Sequence, residues 1–130
     1  MKKRLVFVIF LFISFFYSFA GNSDYFENKT LRIDYFHSGN DTLEFYSIDE
    51  LKEESLWGGS LSNLTDTFNY GHYKFVAYDK ASGKIIFQKN YSSLFAEWRT
   101  TNEAKTVIKS FSETITMPYP KATIKIEFYS

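Results

Sequence analysis

The segment from His72 to Tyr91 limits what this chain can become more than any other. It reads H-Y-K-F-V-A-Y-D, then K-A-S-G, then K-I-I-F-Q-K-N-Y. Successive side chains of a strand take opposite faces. Tyr73, Phe75 and Ala77 therefore share one face, and Lys74, Val76 and Tyr78 the other. The second run is rich in β-branched and aromatic residues, as strands are. Asp79, Lys80, Ser82 and Gly83 supply turn chemistry between the runs, with Gly83 free to take positive φ. The segment predicts a β-hairpin that seeds a sheet. Bulky residues on both of its faces predict cover on one side and partial cover on the other.

The remaining pattern is of the same kind. Gly21 to Lys29 is a polar, loose lead-in. Thr30 to His37 alternates Leu31, Ile33 and Tyr35 against Arg32, Asp34 and Phe36, which predicts a half-buried strand. Ser38 to Asp41 is a turn cluster, and Thr42 to Ile48 a second strand paired with the first. Asp49, Glu50, Glu53 and Glu54 beside Ile48 and Leu51 predict one or two helical turns that carry the chain across the end of the sheet. A long polar loop then runs from Trp57 to Gly71. Leu94, Phe95 and Trp98 predict a packed corner, and Thr101 before Glu103 and Ala104 a capped helical turn. Ser110 to Met117 alternates Phe111, Glu113, Ile115 and Met117 against Ser112, Thr114 and Thr116, and Pro118-Tyr119-Pro120 breaks it. Lys121 to Tyr129 gives a last strand. The fold class is all-β: an antiparallel β-sandwich of about six or seven strands with one or two short helical turns.

The 130 residues suffice for one domain. An aromatic content of 21% is too high for a disordered chain and suits a small β-rich core. Met1 to Ala20 has a Lys-Lys-Arg n-region, an apolar stretch and Ser18-x-Ala20, the pattern of a signal peptide cleaved after Ala20. Its apolar run is shorter than the roughly 20 residues of a membrane-spanning helix. The expected organisation is a signal peptide over 1–20 and a β-sandwich domain over 21–130. No cysteine occurs, which excludes disulfides, thiolate metal sites and a lipoprotein anchor. It also favours a bacterial protein, exported to the periplasm, cell surface or medium, with no membrane attachment after cleavage. Without Lys2, Lys3 and Arg4, 12 basic residues face 15 acidic ones. That balance argues against a nucleic-acid partner.

Catalytic chemistry is not visible. The histidines, His37 and His72, stand at a strand end and a strand start, and both read as solvent-facing residues near turns. No H-E-x-x-H, no G-x-S-x-G elbow and no phosphate loop is present. The acidic group at 49–54 reads as a solvated helical face and not a calcium site. No catalytic residue, metal ligand or cofactor is expected. Asn28, Asn40, Asn63 and Asn90 each begin an N-x-S/T triplet, which an export signal of this kind makes coincidental. Tyr25, Tyr46, Trp57, Tyr70, Tyr91 and Trp98 could line a groove or pack in corners, and Trp57 is the most open because Gly58 and Gly59 follow it.

Several blocks in order carry a resemblance. They are Leu31-Arg32-Ile33-Asp34-Tyr35-Phe36-His37-x-Gly39, Leu56-Trp57-Gly58-Gly59-Ser60-x-x-Asn63-Leu64, Asn69-Tyr70-Gly71-x-Tyr73 and Tyr78-Asp79-Lys80-x-Ser82-Gly83-Lys84-Ile85-Ile86. Ser93-Leu94-Phe95-x-Glu97-Trp98-x-Thr100-Thr101-x-Glu103-Ala104, Phe111-x-Glu113 and Met117-Pro118-Tyr119-Pro120-Lys121 continue it. Together they resemble the N-terminal domain of the secreted IgA peptidase family of bacterial zinc metalloendopeptidases. The resemblance implies a β-sandwich module, with zinc and the H-E-x-x-H motif in a separate C-terminal domain. No catalytic position of that family is found in this sequence.

The expected role is that of an exported, non-catalytic accessory domain. Its partner would be a peptidase catalytic domain, in the same chain or another, or a protein substrate. The candidate contact surface is Trp57, Gly58, Gly59, Asn63, Phe95, Glu97 and Trp98. The alternative is a stand-alone glycan- or peptide-binding module that uses loop aromatics.

Overall fold

A computed structural model describes residues Asp24 to Ser130, so the signal-peptide reading of Met1 to Ala20 lies outside the described residues. Six strands form: β1 (Phe26–Gly39), β2 (Glu44–Glu54), β3 (Tyr73–Asp79), β4 (Ile85–Tyr91), β5 (Lys109–Pro120) and β6 (Ile124–Tyr129). A short helix α1 (Leu94–Trp98) and a 3-10 turn (Glu103–Lys105) separate β4 from β5. The strands make two antiparallel three-stranded sheets, ordered β2-β1-β5 and β4-β3-β6. This is the all-β sandwich that the alternation predicts.

The central hairpin forms as expected. The amide of Gly83, at φ +71°, donates to the Asp79 carbonyl at 2.8 Å, and the Asp79 carboxylate accepts from the Ser82 amide at 2.8 Å. Tyr73, Phe75 and Ala77 are buried, and so is Val76 on the opposite face, at 2% exposure. The first hairpin turns on Asn40, whose Oδ1 accepts from the amides of Thr42 and Leu43 at 3.0 and 2.7 Å. Gly39 before it has φ +149°, and a Cβ there would stand 2.0 Å from the Leu43 carbonyl oxygen, so no side chain fits.

Four boundaries differ from the sequence reading. Residues 49–54 are strand, not helical turns. A bulge leaves Asp49 unpaired, because Asp34 opposes Glu50 while Tyr35 opposes Ile48, and pairing then resumes as far as Glu54. The acidic residues there are strand residues with basic neighbours: Glu53 meets Lys29 at 2.7 Å, Glu50 meets Lys52 at 2.8 Å and Glu54 meets Arg32 at 3.5 Å. The lead-in is also shorter than expected, since Phe26 begins β1 and is 1% exposed. Pro118 lies inside β5, which runs on to Pro120. β5 is an edge strand, where a residue without an N–H costs no ladder bond. The last strand begins at Ile124, later than Lys121.

The core lies between the sheets. Ile33, Tyr35, Ile115 and Met117 from one sheet meet Phe75, Ala77 and Phe87 from the other, and Phe26 and Leu64 complete it. Phe128 of β6 sits 5.0 Å from Tyr35 and 4.8 Å from Tyr46, ring centre to ring centre. The second sheet covers β2 at Tyr46 but leaves its later residues open. Ile48 and Leu51 lie opposite Tyr35 and Ile33 across the ladder, yet they are 57% and 60% exposed.

Candidate functional site

His37 is the residue that sequence reasoning placed wrongly. It has no exposed surface. β1 runs on to Gly39, so position 37 continues the inward parity of Ile33 and Tyr35. Its ring stacks between Tyr46 and Phe95, at 4.4 and 4.1 Å, with the edge of Tyr73 at 5.0 Å. His72, by contrast, is exposed, as expected.

Each ring nitrogen of His37 faces a carboxylate. Nε2 is 2.7 Å from Glu44 Oε1, and Nδ1 is 3.2 Å from Glu113 Oε2. A neutral imidazole has one N–H and donates to one of the two carboxylates, whereas an imidazolium donates to both. Glu44 also accepts from Arg99 Nη1 at 2.6 Å and from the Tyr46 hydroxyl at 3.1 Å. Glu113 accepts from the Tyr35 hydroxyl at 2.7 Å, and the Tyr91 hydroxyl lies 3.3 Å beyond. Arg99 Nη2 donates to the Asp41 carbonyl at 3.2 Å. The network thus ties β1, β2, β4 and β5 to the first hairpin turn and to the end of α1. Glu113 Oε1 is buried without a hydrogen bond of good geometry, although the Ser93 hydroxyl is close enough to favour its charge.

Burial pushes both carboxyls up, but the bonds from His37 and Arg99 to Glu44, and from His37 and Tyr35 to Glu113, outweigh it. Both stay below the usual carboxylate range. Burial also pushes the Tyr91 hydroxyl up to about 12. A carboxyl held low in the fold stabilises it above the unfolded glutamate pKa of about 4.3, and that stability is lost as pH falls through the folded value. The urea midpoint is therefore expected to hold from pH 7 to about pH 5 and to fall steeply below about pH 4. Glu44→Gln and Glu113→Gln should each flatten the acid limb. A midpoint that is level down to pH 3 in the unsubstituted protein would contradict this assignment.

The residues named from sequence occupy two places. Trp57, Gly58, Gly59 and Asn63 belong to the loop beside β4, where the Trp57 ring meets Phe87 edge-on at 6.3 Å. Phe95, Glu97 and Trp98 belong to α1, which packs on β5 of the other sheet through Phe111, 6.1 Å from Phe95 and 5.5 Å from Trp98. Phe95 is fully buried, so it supports α1 from beneath and cannot be a contact residue. Trp98 is half-buried, with its Nε1 on Glu103 at 2.8 Å and Lys109 Nζ 5.5 Å from the ring centre. Glu97 is exposed.

The loop from Trp57 to Tyr70 borders a groove of about 450 Å³ walled by Trp57, Phe68 and Phe87. Its backbone is pinned to β4. The Asp66 amide donates to the Gln88 carbonyl at 3.0 Å and the Gln88 amide to the Leu64 carbonyl at 2.9 Å. The Asp66 carboxylate is spent on the backbone amides of Phe68 and Asn90, at 2.9 and 3.3 Å.

Among the described residues, no group of three or more His, Asp or Glu side chains is arranged to hold a metal ion. With His37 sealed, the charged cluster is a device of the core, whereas the groove beside β4 is open to solvent. Fold and site together define a small two-sheet module whose ionisable groups clamp its own strands. The chain belongs to the Peptidase M64 N-terminus family, whose pattern matches residues 21–130. No curated protein gave a significant match.

Proposed function

We propose that this protein is an exported, non-catalytic accessory domain of an IgA-peptidase-like metalloendopeptidase, which holds the catalytic domain or its protein substrate. One observation carries the reading: the apolar ledge on β2. Ile48 and Leu51 are large side chains on the core-facing side of an edge strand, uncovered by the facing sheet at 57% and 60% exposure. A domain that stood alone would tend to blunt such an edge. Glu44, Glu50, Glu53 and Glu54 of the strand already have basic partners within the domain, so docking there would rest on apolar contact and on the free main chain of β2. The family's place at the N-terminus of peptidases supplies the occupant, and the signal pattern of Met1 to Ala20 supplies export.

The test is to isolate the native product with an antibody to this domain and to determine its intact mass, its zinc content and the identity of any co-eluting polypeptide. A zinc peptidase, continuous with the domain or bound to it, is expected. Ile48→Asp with Leu51→Asp should weaken binding of a separate peptidase domain, or loosen a continuous one towards limited proteolysis, by about tenfold or more. The urea midpoint should barely change, because both sites are mostly exposed. A lone species of the mature length with no peptidase attached would overturn the proposal.

A further inference from the structure

The Trp57 loop has features that docking at β2 leaves unexplained. The indole is held in place. Its Nε1 donates to the Ser60 carbonyl at 3.0 Å, and it lies so close over Gly59 that a Cβ there would stand 2.5 Å from Cζ2. Phe68, on the same groove, is 75% exposed, and its ring lies parallel to within 7° to that of Tyr70, itself 78% exposed, with centres 6.1 Å apart. Large rings kept in water on a loop pinned to a strand are a cost that packing does not explain. The polar rim is uncommitted as well. Among the described residues, the Asn63 side-chain amide, the Thr65 and Thr67 hydroxyls and the Lys89 ammonium have no hydrogen-bonding or ionic partner.

We infer that this groove binds a short oligosaccharide, with sugar faces against Trp57 and Phe68 and sugar hydroxyls on Asn63, Thr65 and Thr67. The chemistry separates this ligand from the other classes. A purely apolar ligand would leave those polar groups without water or partners. An added peptide strand needs a run of free backbone, and the strand-like backbone beside β4 is a single bridge at Thr65. Nucleic acid needs a basic track, and Lys89 is the one cation on this groove. The groove volume lies within the usual range for small-ligand sites, about 300–1,000 Å³. Because Trp57 and the loop are already fixed, little ordering cost remains for a weak polyhydroxylated ligand. The inference does not rest on the accessory-domain reading, since the groove is beside β4 and the ledge is on β2, in the other sheet.

Trp98→Phe leaves Trp57 as the single tryptophan reporter. The test titrates that variant with maltotetraose, chitotetraose and tetragalacturonate to about 10 mM, following fluorescence and checking by calorimetry. At least one sugar is expected to shift the Trp57 emission with a millimolar or tighter Kd. Phe68→Ala should weaken binding about tenfold with an unchanged urea midpoint. Weakening by Lys89→Ala confined to tetragalacturonate would identify an acidic sugar as the ligand, and no effect of Lys89→Ala would identify a neutral one. No shift with any of the three sugars, or undiminished binding by Phe68→Ala, would overturn the inference.

Discussion

Replacing His37 with leucine is expected to destabilise the domain by about 3–5 kcal/mol, read as a drop in the urea unfolding midpoint at pH 7. Volume is not the reason, since leucine is apolar and of similar size. The reason is charge. Without the imidazole, Glu44 keeps Arg99 and Tyr46, while Glu113 keeps only hydroxyl partners at a largely buried site. An uncompensated buried carboxylate costs far more than the pair gains when intact. The companion experiment is a double-mutant cycle. His37→Leu with Glu113→Leu removes the stranded charge together with its partner. It should therefore be less destabilised than the two single changes summed, by about 0.5–3 kcal/mol. Strict additivity would mean that the 3.2 Å contact carries no coupling and that the clamp is a fiction of proximity.

The network explains a choice that the sandwich alone does not require. Two edge strands, β2 and β5, are joined across the central strand β1 by a single side chain with a carboxylate on each ring nitrogen. A neutral core of the same volume would satisfy the hydrophobic requirement. The charged version also fixes register, because a one-residue slip of β5 would turn Glu113 to the outer face. Arg99 extends the same logic to α1 and to the Asp41 carbonyl, so the helix end and the first hairpin turn are set by one guanidinium.

How much of this is legible in the sequence depends on parity. Strands declare themselves through alternation, and β1 and β3 do so clearly, while β4 shows through its β-branched and aromatic run. β2 does not, because the bulge at Asp49 shifts the phase in mid-strand and leaves an acid-rich stretch that imitates a helix face. β5 is hidden at its end by two prolines that only an edge strand tolerates. The buried network was half written in the pattern. Glu113 falls between Phe111 and Ile115 on the apolar face of its strand, and His37 continues Ile33 and Tyr35. A charge in an apolar stripe points to a partner in the core. What no local pattern supplies is that partner's identity: Glu44 is on a different strand, and Arg99 lies 55 residues further along the chain. The groove was legible through Trp57 and its glycines, while the pinning of 64–66 to β4 required the fold.

Phe95 separates a contact surface from a foundation. Phe95→Ala is expected to cost about 3–5 kcal/mol, whereas Leu94→Ala should stay within about 0.5 kcal/mol. The two residues are neighbours in sequence and opposites in setting. Leu94 is 69% exposed, while Phe95 is fully buried against His37, Phe111 and Trp98, with the Arg99 guanidinium 5.3 Å from its ring centre. Truncation to alanine opens a cavity beneath a helix of only five residues, which is too short to hold itself together without that anchor. It also removes one of the two rings that sandwich His37, so water gains access to the Glu44–His37–Glu113 row and weakens each of its bonds. The loss should therefore exceed that of a plain core phenylalanine such as Phe75, where a cavity is the whole effect. If Phe95→Ala proved no worse than Leu94→Ala, α1 would be an appendage resting on the sandwich, and the network would have to stand without it.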